Sequence, residues 1–505
     1  MDEPLIVREN EPSEPAYYPR NRFITLFTIL ICLLLLMTAG ERYLGLKESK
    51  STDGIDSAIS GDIQVKAAYS QMYLSEKISA ESKKHGLDYS DTSSAIRDYR
   101  ESVILSPIPG NIRKLIILDN SRLRQKTILS LDKLRNNKNV RKSTRANIPN
   151  EIDMWRDIYF SEGKSEPEKV AKYSIMISDM KLGWYEHLAL ADLYQSKGGK
   201  AGEADASRER SLAASKAFRS MSLIGLLAII IILSGITGLI LLILYINRIS
   251  RRRFRKETIP QFQFRDIPGY EKSFVSGYML ESFIAYILIS LVVQAGIAGL
   301  IALFTPRNFE MTGLASNIVG LASYLIAGVW SLVYLSVKIH RGGWDWNIIG
   351  LNRRSIGRDI AWGMYGYAAA LPLLLIMVFI TTYIEKIIPT PPNPAIPEIL
   401  TSTDVVSRIM LFLMIAIGAP VFEEIFFRGV LMSSLRARWG AFISIFVSSA
   451  IFAVLHPFPG SFMPIFMLGA IFATLAYERS SLIPGIVTHC MNNTLIFIIL
   501  ILTTG

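Results

Sequence analysis

Residues 405–435 read VVSRIMLFLMIAIGAPVFEEIFFRGVLMSSL, a long apolar run interrupted by two adjacent glutamates and an arginine. About 20 apolar residues in succession are enough for a helix to cross the roughly 30 Å hydrocarbon core of a bilayer. The stretch therefore predicts a transmembrane helix. Charged side chains are costly in lipid, so the charges within this helix predict a functional site inside the membrane.

The composition of the whole chain also indicates a membrane protein. Of the 505 residues, 50% are hydrophobic and 19% are charged, and the mean hydropathy is +0.32. A soluble domain carries about 25% charged residues, so these values exclude a disordered or fibrous protein. The apolar runs predicted to span the membrane are 23–39, 222–246, 277–304, 313–337, 360–384, 405–435, 441–456, 462–477 and 482–502.

The segment between the first two runs is much longer than the other connections. Residues 40–221 are rich in Lys, Arg, Glu, Ser and Ala, and their apolar residues have helical spacing. We therefore predict an all-α fold: a polytopic membrane helix bundle of about nine transmembrane helices, with a large helical extracytoplasmic domain between the first two. A plain bundle is favoured for this domain over a tetratricopeptide-like repeat, because no period of about 34 residues is sustained.

Lys and Arg are distributed unevenly over the short connections between the spans. Most lie on one side, beginning with Arg248, whereas the opposite side has only Arg307 and Lys386. The basic side faces the cytoplasm, so we expect a multi-pass protein of the cell membrane with its N-terminus cytoplasmic and its C-terminus extracytoplasmic. Basic residues beside the spans also explain the net charge of +11 without a nucleic-acid partner. A cleaved signal peptide in place of the first span is the alternative.

Three short polar motifs lie in the last apolar runs. The first is Glu423-Glu424-Ile-Phe-Phe-Arg428, the second ends at His456, and the third is His489-Cys-Met-Asn-Asn493. Glu424 and Arg428 are four residues apart, so one helix face should hold them as an ion pair, and Glu423 is left to face an interior cavity. With a rise of about 1.5 Å per residue, the motifs fall within one layer of the membrane.

Residues of these types, brought together, form the machinery of a hydrolase without a covalent nucleophile. A carboxylate and an imidazole can orient and deprotonate a water molecule, while a His and an Asn can donate hydrogen bonds to an oxyanion. The alternative is a buried polar cluster that holds helices together. Two His and a Glu could also bind zinc, but the Asn suits an oxyanion donor better than a metal ligand, so we favour no cofactor.

The ordered motifs EExxxR, FxxxH and HxxxN on successive membrane helices resemble the CPBP family, also called the Abi or CAAX prenyl protease type II family. The resemblance is detailed from about Gly418 to Asn493 and extends as architecture from about Tyr270 to the end. It does not cover the N-terminal half. Known relatives remove the C-terminal tripeptide after a prenylated Cys.

The resemblance implies a role for each motif residue. Glu423 is the general base, His456 helps to activate the water, and His489 with Asn493 stabilises the oxyanion. Positioning and charge balance fall to the two remaining residues of the first motif, Glu424 and Arg428. We expect no metal ion in the site, and zinc is the alternative.

These observations divide the chain into segments with separate expected roles. We predict a cytoplasmic tail (1–22), a transmembrane anchor (23–39), an extracytoplasmic helical domain (40–221), a second transmembrane helix (222–246), a basic cytoplasmic linker (247–276) and a CPBP-like intramembrane protease domain (277–505).

The predicted function is that of an intramembrane endopeptidase acting on a membrane-embedded or lipidated, CAAX-like polypeptide within the lipid bilayer. The main alternative is a non-catalytic membrane sensor or scaffold that binds a protein partner through the extracytoplasmic domain. A transporter is a third hypothesis, because intramembrane Glu and His also form proton relays. Against it, the motifs lie in one block and are not repeated. Glu281, in the third span, has no evident partner in the sequence.

Overall fold

The computed structural model describes residues 22–34, 55–78, 93–105, 109–119, 123–136, 142–163, 165–254, 272–305, 313–351, 355–385, 395–402, 404–456 and 462–504. Every regular element within these ranges is a helix, as predicted. The predicted tail (1–22), apart from Arg22, and residues 255–271 of the predicted linker lie outside the described residues.

The first part of the chain forms one short apolar helix and a helical domain. The helices are α1 (Arg22–Leu34), α2 (Ile55–Ile78), α3 (Ser93–Leu105), α4 (Pro109–Leu118), α5 (Arg124–Ser130), α6 (Lys142–Phe160), α7 (Pro167–Asp179), α8 (Tyr185–Lys197) and α9 (Gly199–Phe254). We call α2 to α8, with the first part of α9, the N-terminal helical domain. Its own buried core includes the side chains of Trp155 and Trp184.

The second part of the chain consists mainly of nine α-helices, most of them long and apolar, within the described residues. They are α10 (Lys272–Phe304), α11 (Gly313–Arg341), α12 (Ile356–Glu385), α13 (Ala395–Thr401), α14 (Val405–Phe412), α15 (Ala419–Glu424), α16 (Ser433–Val454), α17 (Phe462–Arg479) and α18 (Ile483–Thr504). Within the described residues, seven helical stretches are long and apolar enough to cross a membrane, and α1 is a shorter apolar helix. The prediction of a polytopic helical membrane protein is therefore confirmed.

Two of the predicted spans meet at a sharp kink. The backbone at Gly440 is not helical, so the spans predicted at 405–435 and 441–456 are two helices that meet at this residue without a long loop. Gly440 lies between them with φ 79° and ψ 177°. A positive φ of this size strains residues that carry a Cβ, so Gly440 provides the bend that changes the helix direction at this point.

Helix α9 links the N-terminal helical domain to the membrane helices without a break. Its 56 residues run from Gly199 to Phe254, so the predicted boundary between residues 221 and 222 falls inside a continuous helix. One part packs against α2 and α8, and another against α12. A Cβ on Gly238 would lie 1.8 Å from the carbonyl oxygen of Ala368. Only glycine permits so close an approach of α9 to α12.

The N-terminal helical domain also contacts the last helix, α18. The Lys66 amine donates hydrogen bonds to the carbonyl oxygens of Leu502 (3.0 Å) and Thr503 (2.6 Å). The final carbonyls of a helix have no partner within the helix, so the Lys66 amine satisfies two of them. Lys66 is 1% exposed. Burial lowers its pKa to about 8, an effect that Asp62 opposes and Lys114 reinforces.

This contact predicts a pH dependence of stability. Between about pH 8 and 10.5, Lys66 is neutral in the folded protein but protonated in the unfolded chain, so the unfolded state binds more protons and stability rises with pH. A neutral amine keeps two N–H donors, enough for both carbonyls. From pH 8 to 9.5, we expect wild type to gain about 2 kcal/mol relative to Lys66→Met.

The measurement is the thermal midpoint of the detergent-solubilised protein against pH. Taking the difference between wild type and Lys66→Met cancels the titration of other groups, including the buried phenols of Tyr99 and Tyr185, whose pKa values burial raises. A difference that stays constant over this pH range would contradict the prediction.

Candidate active site

The predicted ion pair between Glu424 and Arg428 is present. Arg428 Nη1 lies 3.0 Å from Glu424 Oε1, and the two side chains are 1% and 0% exposed. Arg428 Nη2 also donates to the carbonyl oxygen of Gly469 on α17, at 3.1 Å. The pair therefore joins the helix that carries both glutamates to a neighbouring helix.

The glutamates occupy a short α-helix between two π-helical segments. Helix α15 ends at Glu424, and the segments Leu413–Gly418 and Ile425–Met432 flank it. A π-helix makes i→i+5 hydrogen bonds and often occurs at functional sites. The wider turns on both sides set the directions of Glu423 and Glu424, which hydropathy alone does not predict.

His489 on α18 faces both carboxylates. Its Nδ1 lies 3.2 Å from Glu424 Oε1, and its Nε2 lies 3.8 Å from Glu423 Oε2. The imidazole stacks on the Phe472 ring, with centroids 4.7 Å apart. Of the two carboxylates, Glu423 is the more accessible, with 17% of its side chain exposed against 0% for Glu424. The structure thus brings the first and third motifs together.

A glycine that the sequence analysis missed lets α18 approach Glu424. A Cβ on Gly485 would lie 2.8 Å from Glu424 Oε2, so a side chain at this position would displace the carboxylate. Gly485 is four residues before His489 and therefore on the same helix face. That spacing was the only signal in the sequence, and it is weak because glycines are common in membrane helices.

His456 lies beside the Phe452 ring, which also contacts His489. The His456 Nδ1 is 2.7 Å from the carbonyl oxygen of Phe452. A carbonyl only accepts hydrogen bonds, so Nδ1 carries the hydrogen, and in the neutral ring Nε2 is the acceptor. The centroid of the Phe452 ring is 4.7 Å from that of His456 and 6.0 Å from that of His489. Phe452 therefore connects the second motif to the third.

The Arg428 guanidinium lies 4.4 Å from the centroid of the Phe452 ring. A cation over an aromatic face is attracted to it. The Phe452 ring, which belongs to the second motif, therefore contacts Arg428 of the first motif and His489 of the third.

Asn493 is held by the π-helical segment that precedes the glutamates. Its Nδ2 donates to the carbonyl oxygen of Ile415 at 2.8 Å, and its Oδ1 accepts from Asn492 Nδ2 at 3.2 Å. An amide nitrogen carries two hydrogens, so one remains for a further acceptor. The Ile415 contact fixes the orientation of the amide on the face that also carries His489.

Zinc is the alternative cofactor for a site that contains two His and a Glu. Among the described residues, no three side chains of His, Cys, Asp or Glu are grouped as metal ligands would be. Glu424 is already engaged by Arg428. That the site needs no metal stays a prediction from the sequence. The roles of Glu423, His456, His489 and Asn493 remain predictions from the sequence, now with defined neighbours.

One family model matches the part of the chain that contains the three motifs. Residues 405–495 match the family model described as type II CAAX prenyl endopeptidase Rce1-like. The match includes all three motifs, and the resemblance noted in the sequence is confirmed over these residues. No curated protein and no solved structure matches the chain.

Proposed function

We propose that the protein is an intramembrane endopeptidase that hydrolyses a peptide bond in a membrane-anchored or lipidated, CAAX-like polypeptide. The observation that carries the proposal is the position of His489 between Glu423 and Glu424, within residues that match a prenyl endopeptidase family. A multi-pass membrane protein with a domain of this kind supports proteolysis in the bilayer. The substrate is proposed from that match alone.

In the proposed reaction, Glu423 is the general base. Its carboxylate takes a proton from a water molecule while the water oxygen bonds to the scissile carbonyl carbon, and the carbonyl π electrons move onto the oxygen. The free Nε2 of His456 accepts a hydrogen bond from the same water. When the tetrahedral intermediate collapses, the C–N bond breaks and the amide nitrogen takes the proton from Glu423.

The oxyanion site is assigned to His489 and Asn493. His489 faces Glu424 with Nδ1 and donates to the oxyanion from Nε2, and the free Nδ2 hydrogen of Asn493 is the second donor. Fixed donors in a site shielded from water stabilise developing charge more than mobile ones do. The Glu424–Arg428 pair holds His489 in this orientation.

We assign the N-terminal helical domain to the extracytoplasmic side, where it selects substrates or binds a protein partner. This assignment rests on the distribution of basic residues. The hydrogen bonds from Lys66 to the end of α18 support the role in substrate selection, because they join the domain to the helix that carries His489 and Asn493.

The test is proteolysis in reconstituted liposomes. The substrates are a farnesylated CAAX peptide, the same peptide without the lipid, and a transmembrane reporter peptide, each with and without a chelator. We expect the farnesylated peptide to be cleaved fastest, and cleavage to be lost in His456→Ala. Cleavage that the chelator abolishes would replace the glutamate mechanism with a metal-dependent one. No cleavage of any substrate would favour the scaffold hypothesis.

A further inference from the structure

Helix α11 places a buried, unpartnered hydroxyl near the glutamates. Tyr324 Oη is inaccessible, and none of the described residues forms a hydrogen bond with it. A buried polar group without a partner costs about 1–3 kcal/mol, and such groups in folded proteins call for an explanation. Sequence motifs gave no reason to single out this tyrosine.

The Tyr324 ring packs onto the segment that leads into the glutamates. It meets the Phe422 ring edge-on, with centroids 5.7 Å apart, and a Cβ on Gly418 would lie 3.7 Å from Tyr324 Cε1. Phe422 immediately precedes Glu423. These two contacts fix the ring, so its hydroxyl has a defined position relative to the Glu423 carboxylate.

The Tyr324 phenol is close enough to Glu423 to interact with it electrostatically, and so is the phenol of Tyr286 on α10. The Tyr286 ring stacks on Phe426 with centroids 4.1 Å apart. Among the described residues, no hydrogen bond joins Tyr324 to Glu423. Within the described part of the chain, the hydroxyl is therefore available to a molecule that enters the site.

We propose that Tyr324 is a further catalytic residue, whose hydroxyl donates a hydrogen bond to the water molecule that Glu423 deprotonates. The inference rests on the proposed function. A site water needs two to four polar partners; Glu423 and His456 accept its two hydrogens, and Tyr324 donates to one lone pair. The other lone pair is then directed at the scissile carbonyl carbon. The phenol keeps its own proton throughout.

If the Tyr324 hydroxyl binds a water molecule, Tyr324→Phe should have the opposite effects on rate and stability from those expected if the hydroxyl only stabilises the fold. The variant keeps the ring, and with it the contacts to Phe422 and Gly418, and removes only the unpartnered oxygen. If the hydroxyl served the fold, its loss would lower stability. Because it has no partner among the described residues, its loss should leave stability unchanged or raise it, while a poorly held water should slow the chemical step.

The experiment compares wild type, Tyr324→Phe and Tyr367→Phe in the liposome assay, with Glu423→Gln measured alongside. Tyr367 is a buried phenol on α12 and serves as the matched control. We expect Tyr324→Phe to lower kcat by about 10- to 100-fold, with KM within twofold of wild type. Its thermal midpoint should equal or exceed that of wild type, and Tyr367→Phe should keep the wild-type kcat.

Three results would overturn the inference while leaving the proposed function standing: an unchanged kcat, a raised KM at unchanged kcat, or a thermal midpoint below that of wild type. The raised KM would identify a contact to the substrate instead of the water. If wild type shows no cleavage that depends on Glu423, the proposed function fails, and the role of Tyr324 fails with it.

Discussion

Glu423→Gln is expected to lower kcat for peptide hydrolysis by about 10³-fold or more. Glutamine has nearly the same shape as glutamate but cannot take a proton from water, and loss of a general base typically costs about 10²- to 10⁴-fold. Glu423 is the more accessible of the two carboxylates beside His489, so a reacting water can reach it. Initial rates on the farnesylated peptide measure the effect.

The matched control is Glu281→Gln, another glutamate in a membrane helix. Glu281 accepts a hydrogen bond from Lys338 at 3.0 Å, and glutamine can still accept one, so its rate should match that of wild type. Both variants should keep the wild-type thermal midpoint to within a few degrees. Hydrolysis retained by Glu423→Gln at more than a tenth of the wild-type rate would show that another group removes the proton.

Arg428→Met is expected to destabilise the protein by about 3–5 kcal/mol. Removing one partner of a buried ion pair leaves the other charge uncompensated, and here Glu424 is 0% exposed. The hydrogen bond to the Gly469 carbonyl is lost as well. The methionine side chain fills most of the space, so a cavity contributes little. Unfolding of the detergent-solubilised protein, followed by thermal melts and by denaturant, measures the change.

The double variant Glu424→Leu with Arg428→Met separates a charge effect from a packing effect. Replacing a whole buried pair by apolar residues is often close to neutral, so the double variant should be more stable than Arg428→Met alone. If the double variant loses as much stability as Glu424→Leu and Arg428→Met lose separately when added together, the arginine matters for packing and not for pairing. Activity should be low in both variants. The double variant removes the Glu424 carboxylate that orients His489, and Arg428→Met removes the cation that holds this carboxylate.

The sequence predicted the features that depend on residues close together in the chain. Apolar runs of sufficient length predicted membrane helices, because the bilayer thickness sets the length that a span needs. The spacing of Glu424 and Arg428 predicted their ion pair, because residues four apart share a helix face. The order of the three motifs was enough to suggest the family.

Helix-to-helix placement was decided only by the tertiary structure. Glu281 showed no partner in the sequence, yet Lys338 on the adjacent helix lies 3.0 Å away. Lys66 meets the carbonyl of Thr503, more than 400 residues later in the chain. Neither contact leaves a periodic signal, because each depends on how two helices are rotated and how far each is shifted along its axis.

The same limit applied to the candidate site. Sequence alone placed Glu423, His456 and His489 in one layer of the membrane, which is a statement about height. It could not place His489 between two carboxylates, nor the Tyr324 ring against Phe422, the residue before Glu423. The position of a residue along its helix follows from a fixed rise per residue. The residues that it faces on other helices follow from the close packing of side chains between helices. The sequence therefore predicted which residues share a depth in the membrane, and the packing of α11, α15 and α18 determined which of them meet.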